Sequence, residues 1–124
     1  MTTDPDCLFC KIVRGDIPAK KLHEDEHVLA FHDVRPQAPV HFLLIPKEHV
    51  PSLYEAQDNH QPALGRMLAL AGQLARKAGA SEGFRTIINT GRVGHQEVYH
   101  VHMHVLGGPQ PLGPMLQRSY SHGK

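Results

Sequence analysis

No sign of charge dominates this chain. Lys and Arg number 13 against 12 Asp and Glu, a formal net charge of +1. There is no global field to attract a nucleic-acid backbone or an anionic membrane, so an anionic substrate has to be held locally. Cysteine is scarce as well: Cys7 and Cys10 are the only two. They are too few for the disulfide framework of a small secreted domain, and their C-x-x-C spacing reads instead as redox or metal chemistry. No run approaches the ~18 apolar residues of a membrane span, and Met1-Thr2-Thr3-Asp4-Pro5-Asp6 has neither a basic start nor an apolar stretch. The expectation is a soluble, cytoplasmic protein with no membrane or nucleic-acid partner. Internal repeats and low-complexity tracts are also absent, and 124 residues make one domain with a real core, too small to split.

What the chain holds in quantity is imidazole. Its 11 histidines nearly match the 12 carboxylates, which makes the charge sensitive to pH between about 5 and 7. Three of them alternate with apolar residues in His100-Val101-His102-Met103-His104-Val105. That period reads as a strand with all three rings on one side and Val101, Met103 and Val105 turned to the core. Same-side residues on a strand lie roughly 6.5–7 Å apart, so the rings form a line about as long as a phosphate with one substituent on either side. Such a line suits metal binding, or phosphoryl transfer in which one imidazole attacks phosphorus and a neighbour manages the leaving group's proton. A solvated polar face is the alternative, but such faces mix Thr, Lys, Glu and Ser and rarely repeat one titratable type.

In chain order, Asp4-Pro5-Asp6 reads as the entry to a short helix carrying Cys7, Leu8, Phe9, Cys10, Ile12 and Val13, with Gly15 as its stop. A hairpin around Asp25-Glu26 joins Lys21–Glu24 to Val28–Asp33. The segment Arg35-Pro36-Gln37-Ala38-Pro39 is irregular, and Val40–Ile45 is the most apolar strand. Asn59-His60-Gln61-Pro62 opens a long helix whose buried stripe is expected to be Leu64, Met67, Leu68, Ala71, Leu74, Ala75 and Ala78, stopped by Gly79. Gly65 and Gly72, seven apart on nearly one face, are consistent with a close helix contact across a dimer axis or with loose packing alone. A fourth strand over Phe84–Asn89, a glycine-containing turn over Thr90–His95 and the histidine strand complete an α+β architecture of about five antiparallel strands with one long and one short helix, the helices on one face. Residues 109–124 read as a tail on the surface or on a partner, anchored by Met115 and Leu116.

The run His100–Gly108, flanked by Gln96-Glu97-Val98-Tyr99, resembles the signature of the histidine-triad (HIT) superfamily of nucleotide hydrolases and transferases, and in particular its Hint branch, the purine nucleoside phosphoramidases. Phe31-His32-Asp33, Pro36-Gln37-Ala38-Pro39, Ile45-Pro46-Lys47 and Asn89 resemble segments of that branch, and Pro111-Leu112-Gly113-Pro114-Met115 is similar to its bacterial-type members. The resemblance implies a HIT-like fold and a homodimer. It makes His102 the nucleophile that forms a covalent nucleotidyl intermediate and sets His104 on a phosphate oxygen. Asn89 and Gln96 then hold the nucleotide, and Phe9, Ile12, Ile17, His32, Asp33 and Val34 form the nucleoside pocket, with Asp33 on the ribose hydroxyls. Backbone amides of Gln96, Glu97 and Val98 are expected to steady the oxyanion. The proton for the departing amine has three candidate sources: His100, His104 or water.

Glu97 stands where many members carry serine, and a carboxylate beside a phosphate repels it unless it points at the leaving group or solvent. We therefore expect it to favour cationic leaving groups such as a lysyl amine. His95 stands where glycine is common and is expected at the surface. Some members of the superfamily hold structural zinc with a cysteine pair, a histidine after the Pro-Lys strand end and the first triad histidine, here Cys7, Cys10, His49 and His100; reduced thiols without metal or a redox pair are the alternatives. No organic cofactor is expected. Competing functions are a dinucleoside polyphosphate hydrolase of the Fhit type, using the same nucleophile, and a non-catalytic nucleotide- or zinc-binding adaptor.

Overall fold

Cys7 starts the first helix, α1 (Leu8–Arg14), because its Sγ accepts the Cys10 amide as an N-cap, and Gly15 ends it in the left-handed region at φ 86°. The cap expected from Asp4-Pro5-Asp6 is thus displaced by one turn: Asp4 is spent on the Asp6 amide instead. The computed structural model describes residues 2–116. Strands β1 (Lys21–Glu24) and β2 (Val28–His32) form the expected hairpin, closed by Asp25, whose Oδ1 accepts the amides of His27 and Val28.

β3 (Val40–Pro46) is buried along its whole length. A short 3₁₀ turn at Asp58–His60 leads into α2 (Gln61–Lys77), where Pro62 occupies the first turn. β4 (Phe84–Ile87) and β5 (Met103–Gly107) complete an antiparallel sheet in the order β1-β2-β3-β5-β4. A Cβ at Gly107 would stand 2.6 Å from Ala80 Cβ, so the end of β5 requires glycine for this approach. β4 stops two residues short of the expected Asn89. None of the helices among the described residues is long and apolar enough to cross a membrane.

Alternation along the inner strands divides the core in two. Val28, Ala30, Val40, Phe42, Leu44, Met103 and Val105 face α2, with Val101 joining them. Leu29, Phe31, Leu43 and Ile45 face Phe9 and Ile12 of α1. The two helices therefore lie on opposite faces, not on one as the sequence order implies: β2 and β3 are apolar on both sides, and each face needs its own cover. The stripe of α2 is also corrected. Leu70 is buried and Leu68 is 64% exposed, because the helix meets the sheet through Met67, Leu70, Ala71, Leu74 and Ala75. Gly72 faces the Phe84 ring, whereas among the described residues nothing lies within 4 Å of a Cβ placed at Gly65. Met115 and Leu116, expected to anchor the tail, are instead exposed and belong to neither core cluster of the described residues; residues 117–124 of the expected tail lie outside the described residues.

Candidate active site

The histidine strand is shorter than its alternation implies. Regular pairing begins at Met103, so His100 and His102 precede the strand and only His104 belongs to it. The three rings consequently do not form one line. His102 and His104 stand side by side on the α1 face with ring centroids 5.2 Å apart, while His100 turns into a separate buried cluster with the cysteines.

Each ring has a defined proton position, assigned from its partners. His102 Nδ1 lies 2.8 Å from the His100 carbonyl. A carbonyl only accepts, so Nδ1 carries the hydrogen and the Nε2 lone pair is free. Phe9 packs edge-on against the His102 ring at 5.1 Å between centroids and fixes its plane. The arrangement leaves a lone pair whose orientation is set by backbone, on a ring whose body is set by core packing.

His104 is held by a residue that sequence reasoning missed. It pairs with Leu43 across β3–β5, which makes His41 its diagonal cross-strand neighbour. His41 Nε2 lies 2.9 Å from His104 Nδ1 and 3.5 Å from Asp33 Oδ2, while His41 Nδ1 accepts the Gln37 amide at 2.9 Å. Burial lowers the pKa of His41, opposed by Asp33; burial, with the neighbouring His102 and His41, lowers that of His104. The signal available in the sequence was a lone histidine inside the most apolar strand, a position where a polar group needs a partner.

His100 is fully buried. Its Nε2–H donates to the Pro46 carbonyl at 2.8 Å, which leaves the Nδ1 lone pair facing Cys7 Sγ at 3.4 Å, Cys10 Sγ at 3.6 Å and His49 Nδ1 at 3.3 Å. Cys10 Sγ lies 3.4 Å from His49 Nδ1. A tetrahedral zinc with ordinary bond lengths has N···S edges of about 3.6 Å and N···N edges of about 3.4 Å, so the four residues fit that ion. Burial pulls the His100 pKa down to about 4 and pushes the Cys10 thiol up to about 11. Asp33, His41 and His104 also lie close enough to share an ion. A histidine ligating through Nε2 carries its hydrogen on Nδ1, however, and in His41 the Gln37 amide points at that nitrogen. This second group is a hydrogen-bond chain and a poor metal site.

The remaining expected residues divide. Ile12 is core and Ile17 half-core in the same apolar cluster as Phe9, with Val98 packed against it. Val34 is 92% exposed and joins no apolar wall. Gln96 is buried, but its side chain is spent on backbone: Oε1 accepts the Gly91 amide and Nε2 donates to Pro51 and Val98 carbonyls. Its own amide donates to Gly91 O at 3.0 Å. Gln96 therefore ties the turn to the body of the protein and does not offer an amide to an oxyanion. Asn89 and His32 are half-buried. His95 is exposed as expected, at φ 62°, and its Nε2 stands 3.4 Å from Glu97 Oε2.

The HIT domain family is matched over residues 14–110. The chain belongs to the HIT domain family. It is 48% identical to the purine nucleoside phosphoramidase of Escherichia coli K12 over 112 residues, covering 90% of this chain and 93% of that one. It is 47% identical to protein HitA of Neisseria gonorrhoeae over 84% of this chain and 97% of the relative. Among solved structures, a HIT family hydrolase from Legionella pneumophila Philadelphia 1 superposes with a TM-score of 0.82 at 47% identity, covering 88% of this chain and 98% of that one. A HIT family hydrolase from Clostridium thermocellum gives 0.86 at 38% identity, covering 92% and 100%.

Proposed function

We propose that this HIT protein hydrolyses the P–N bond of purine nucleoside 5′-phosphoramidates, such as adenosine monophosphoramidate or lysyl-AMP, through a nucleotidyl adduct on His102. The observation that carries the reading is the proton position on His102, which aims a free Nε2 lone pair into the space shared with His104. That lone pair forms a bond to phosphorus, the P–N electron pair leaves on the amine nitrogen, and the nitrogen gains a proton. Water then attacks the adduct, the His102–P electrons return to Nε2, and a nucleoside monophosphate is released. Asp33 is a suitable acceptor for two vicinal ribose hydroxyls, and the Phe9, Ile12 and Ile17 wall suits a flat purine. Identity of 48% with a purine nucleoside phosphoramidase supports the same substrate class.

In this reading Cys7, Cys10, His49 and His100 hold a structural zinc, which when bound supplies a rigid cross-link and no catalytic step. The protein acts in the cytoplasm as a homodimer. The four-residue edge strand β4, exposed Phe84 and Leu68, and the exposed tail residues Met115 and Leu116 support self-association. The test is mass spectrometry of protein quenched during turnover of an adenosine phosphoramidate. An adenylyl adduct on His102 is expected. Turnover without any adduct on that residue, or hydrolysis of diadenosine polyphosphate in preference to the phosphoramidate, contradicts it.

A further inference from the structure

We infer that His104 works as a permanently neutral hydrogen-bond donor through Nε2, held in that form by His41 and the Gln37 amide, and not as the acid that protonates the departing amine. The inference rests on the P–N hydrolase reading for its kinetic consequence, but the proton positions themselves do not.

A main-chain N–H can only donate. The Gln37 amide, 2.9 Å from His41 Nδ1, therefore fixes a lone pair there, and neutral His41 keeps its hydrogen on Nε2. That hydrogen points at His104 Nδ1, 2.9 Å away, which must accept it. The remaining hydrogen of His104 is on Nε2, the nitrogen left for substrate. Converting His104 to imidazolium would place a second hydrogen on Nδ1, head-on to the His41 N–H. Relief needs the His41 proton on Nδ1, against the Gln37 amide, or the His41 Nε2–H turned to Asp33 Oδ2, the longer contact at 3.5 Å. The first sets two donors against each other, and the second gives up the 2.9 Å bond to His104.

The charged and titratable groups bearing on His104 are His102, His41, Asp33 and Glu97. The carboxylates favour its protonation, whereas burial and the two histidines oppose it and prevail. A neutral imidazole N–H is too weak an acid to protonate an amine, but it is well suited to a phosphoryl oxygen whose charge grows as His102 attacks. The electron balance then closes without His104: the amine takes its proton from solvent water, and the water that later hydrolyses the adduct returns one. Gln37 becomes a positioning residue that acts through His41.

Two measurements test this. Long-range ¹H–¹⁵N correlation of the full chain at pH 7, assigned with H41Q and H104Q, is expected to show Nε2–H forms for both His41 and His104. An Nδ1–H form of either overturns the inference, whether or not any substrate turns over. Second, kcat/KM is measured over adenosine 5′-phosphoramidates with amines of graded basicity. H104A is expected to lose about 10²–10³-fold by the same factor throughout, while H104Q, whose amide donates a hydrogen bond but cannot transfer a proton, stays within about tenfold of the wild type. H104Q as slow as H104A, with a deficit that grows with amine basicity, makes His104 the acid and overturns the inference. If the wild type cleaves no phosphoramidate, the proposed function fails and the proton positions alone decide.

Discussion

His100 and His104 are the same residue type, two positions either side of His102, and the structure puts them to opposite uses. His100 gives its Nε2–H to the Pro46 carbonyl, so its lone pair meets two thiols and a second imidazole, a set fitted to a soft cation. His104 meets an N–H, because the Gln37 amide has set His41 to donate. One backbone acceptor, Pro46 at the end of β3, and one backbone donor, Gln37 just before it, thus give the two rings opposite free groups: a lone pair on His100 and an N–H on His104. The two environments meet at His102, whose hydrogen is held by the carbonyl of His100 and whose ring lies beside His104.

The comparison breaks most completely at that middle ring. His102→Ala is expected to lower kcat/KM by about 10⁴-fold or more and to abolish the adduct, since no other imidazole in the site has a free lone pair of the right orientation. Fold and metal content, checked by circular dichroism and elemental analysis, should stay near the wild type. The next largest effect separates the outer rings. Cys10→Ser is expected to eliminate stoichiometric zinc and lower the melting temperature by roughly 10 °C, while Asp33→Asn leaves zinc content unchanged. Wild-type protein purified without zinc, or zinc lost from Asp33→Asn, reverses the assignment of the two clusters.

Acid should weaken both environments in the metal-free protein. Burial holds His100 at about 4 in the folded state against 6.5 for an unperturbed ring. Below 6.5 the unfolded chain binds that proton and the folded chain does not, so stability falls as pH drops from 6.5 to 4 and then levels, by on the order of 3 kcal/mol from His100. His41 and His104 are lowered too and add to the same slope. Glu24 acts in a different window: Lys47 and Lys21 hold it at about 2, so its share is lost only as pH falls below about 4.5. Urea midpoints in chelator at pH 7, 5 and 4 measure the slope, and His100→Asn should remove its largest part.

The sequence carried the two helices and the approximate place of each strand, because alternation and the Gly15 and Gly79 stops are local signals; it did not carry the order of the strands in the sheet. It carried the membership of the cysteine cluster only through a family resemblance. It did not carry which way each imidazole faces. That depends on main-chain groups of Gln37 and Pro46, which are the same for any residue type and leave no trace in composition. For the same reason Gln96 looked like a ligand contact when its amide group is consumed by the backbone of Gly91, Pro51 and Val98. The two-faced burial of β2 and β3 was also hidden, since a continuous apolar run does not say which of its sides a short helix will cover.

The smallest effect belongs to Glu97, which sharpens the substrate side of the comparison without touching either cluster. Its carboxylate is 79% exposed and 3.4 Å from His95 Nε2, yet its charge still bears on His104 and favours a proton there. Solvent screening limits what such a group can contribute to selectivity, roughly 0.2–1 kcal/mol as for other exposed pairs, or a few-fold in rate. Glu97→Ser is accordingly expected to reduce the preference for a lysyl over a neutral amine leaving group by about two- to fivefold, and the difference should shrink further in 0.5–1 M salt. Because the carboxylate acts through space on a cationic substituent, kcat/KM for neutral amines should hardly move. A loss shared equally by cationic and neutral substrates would instead place Glu97 with the groups that shape the turn, alongside Gln96, and remove it from leaving-group selection.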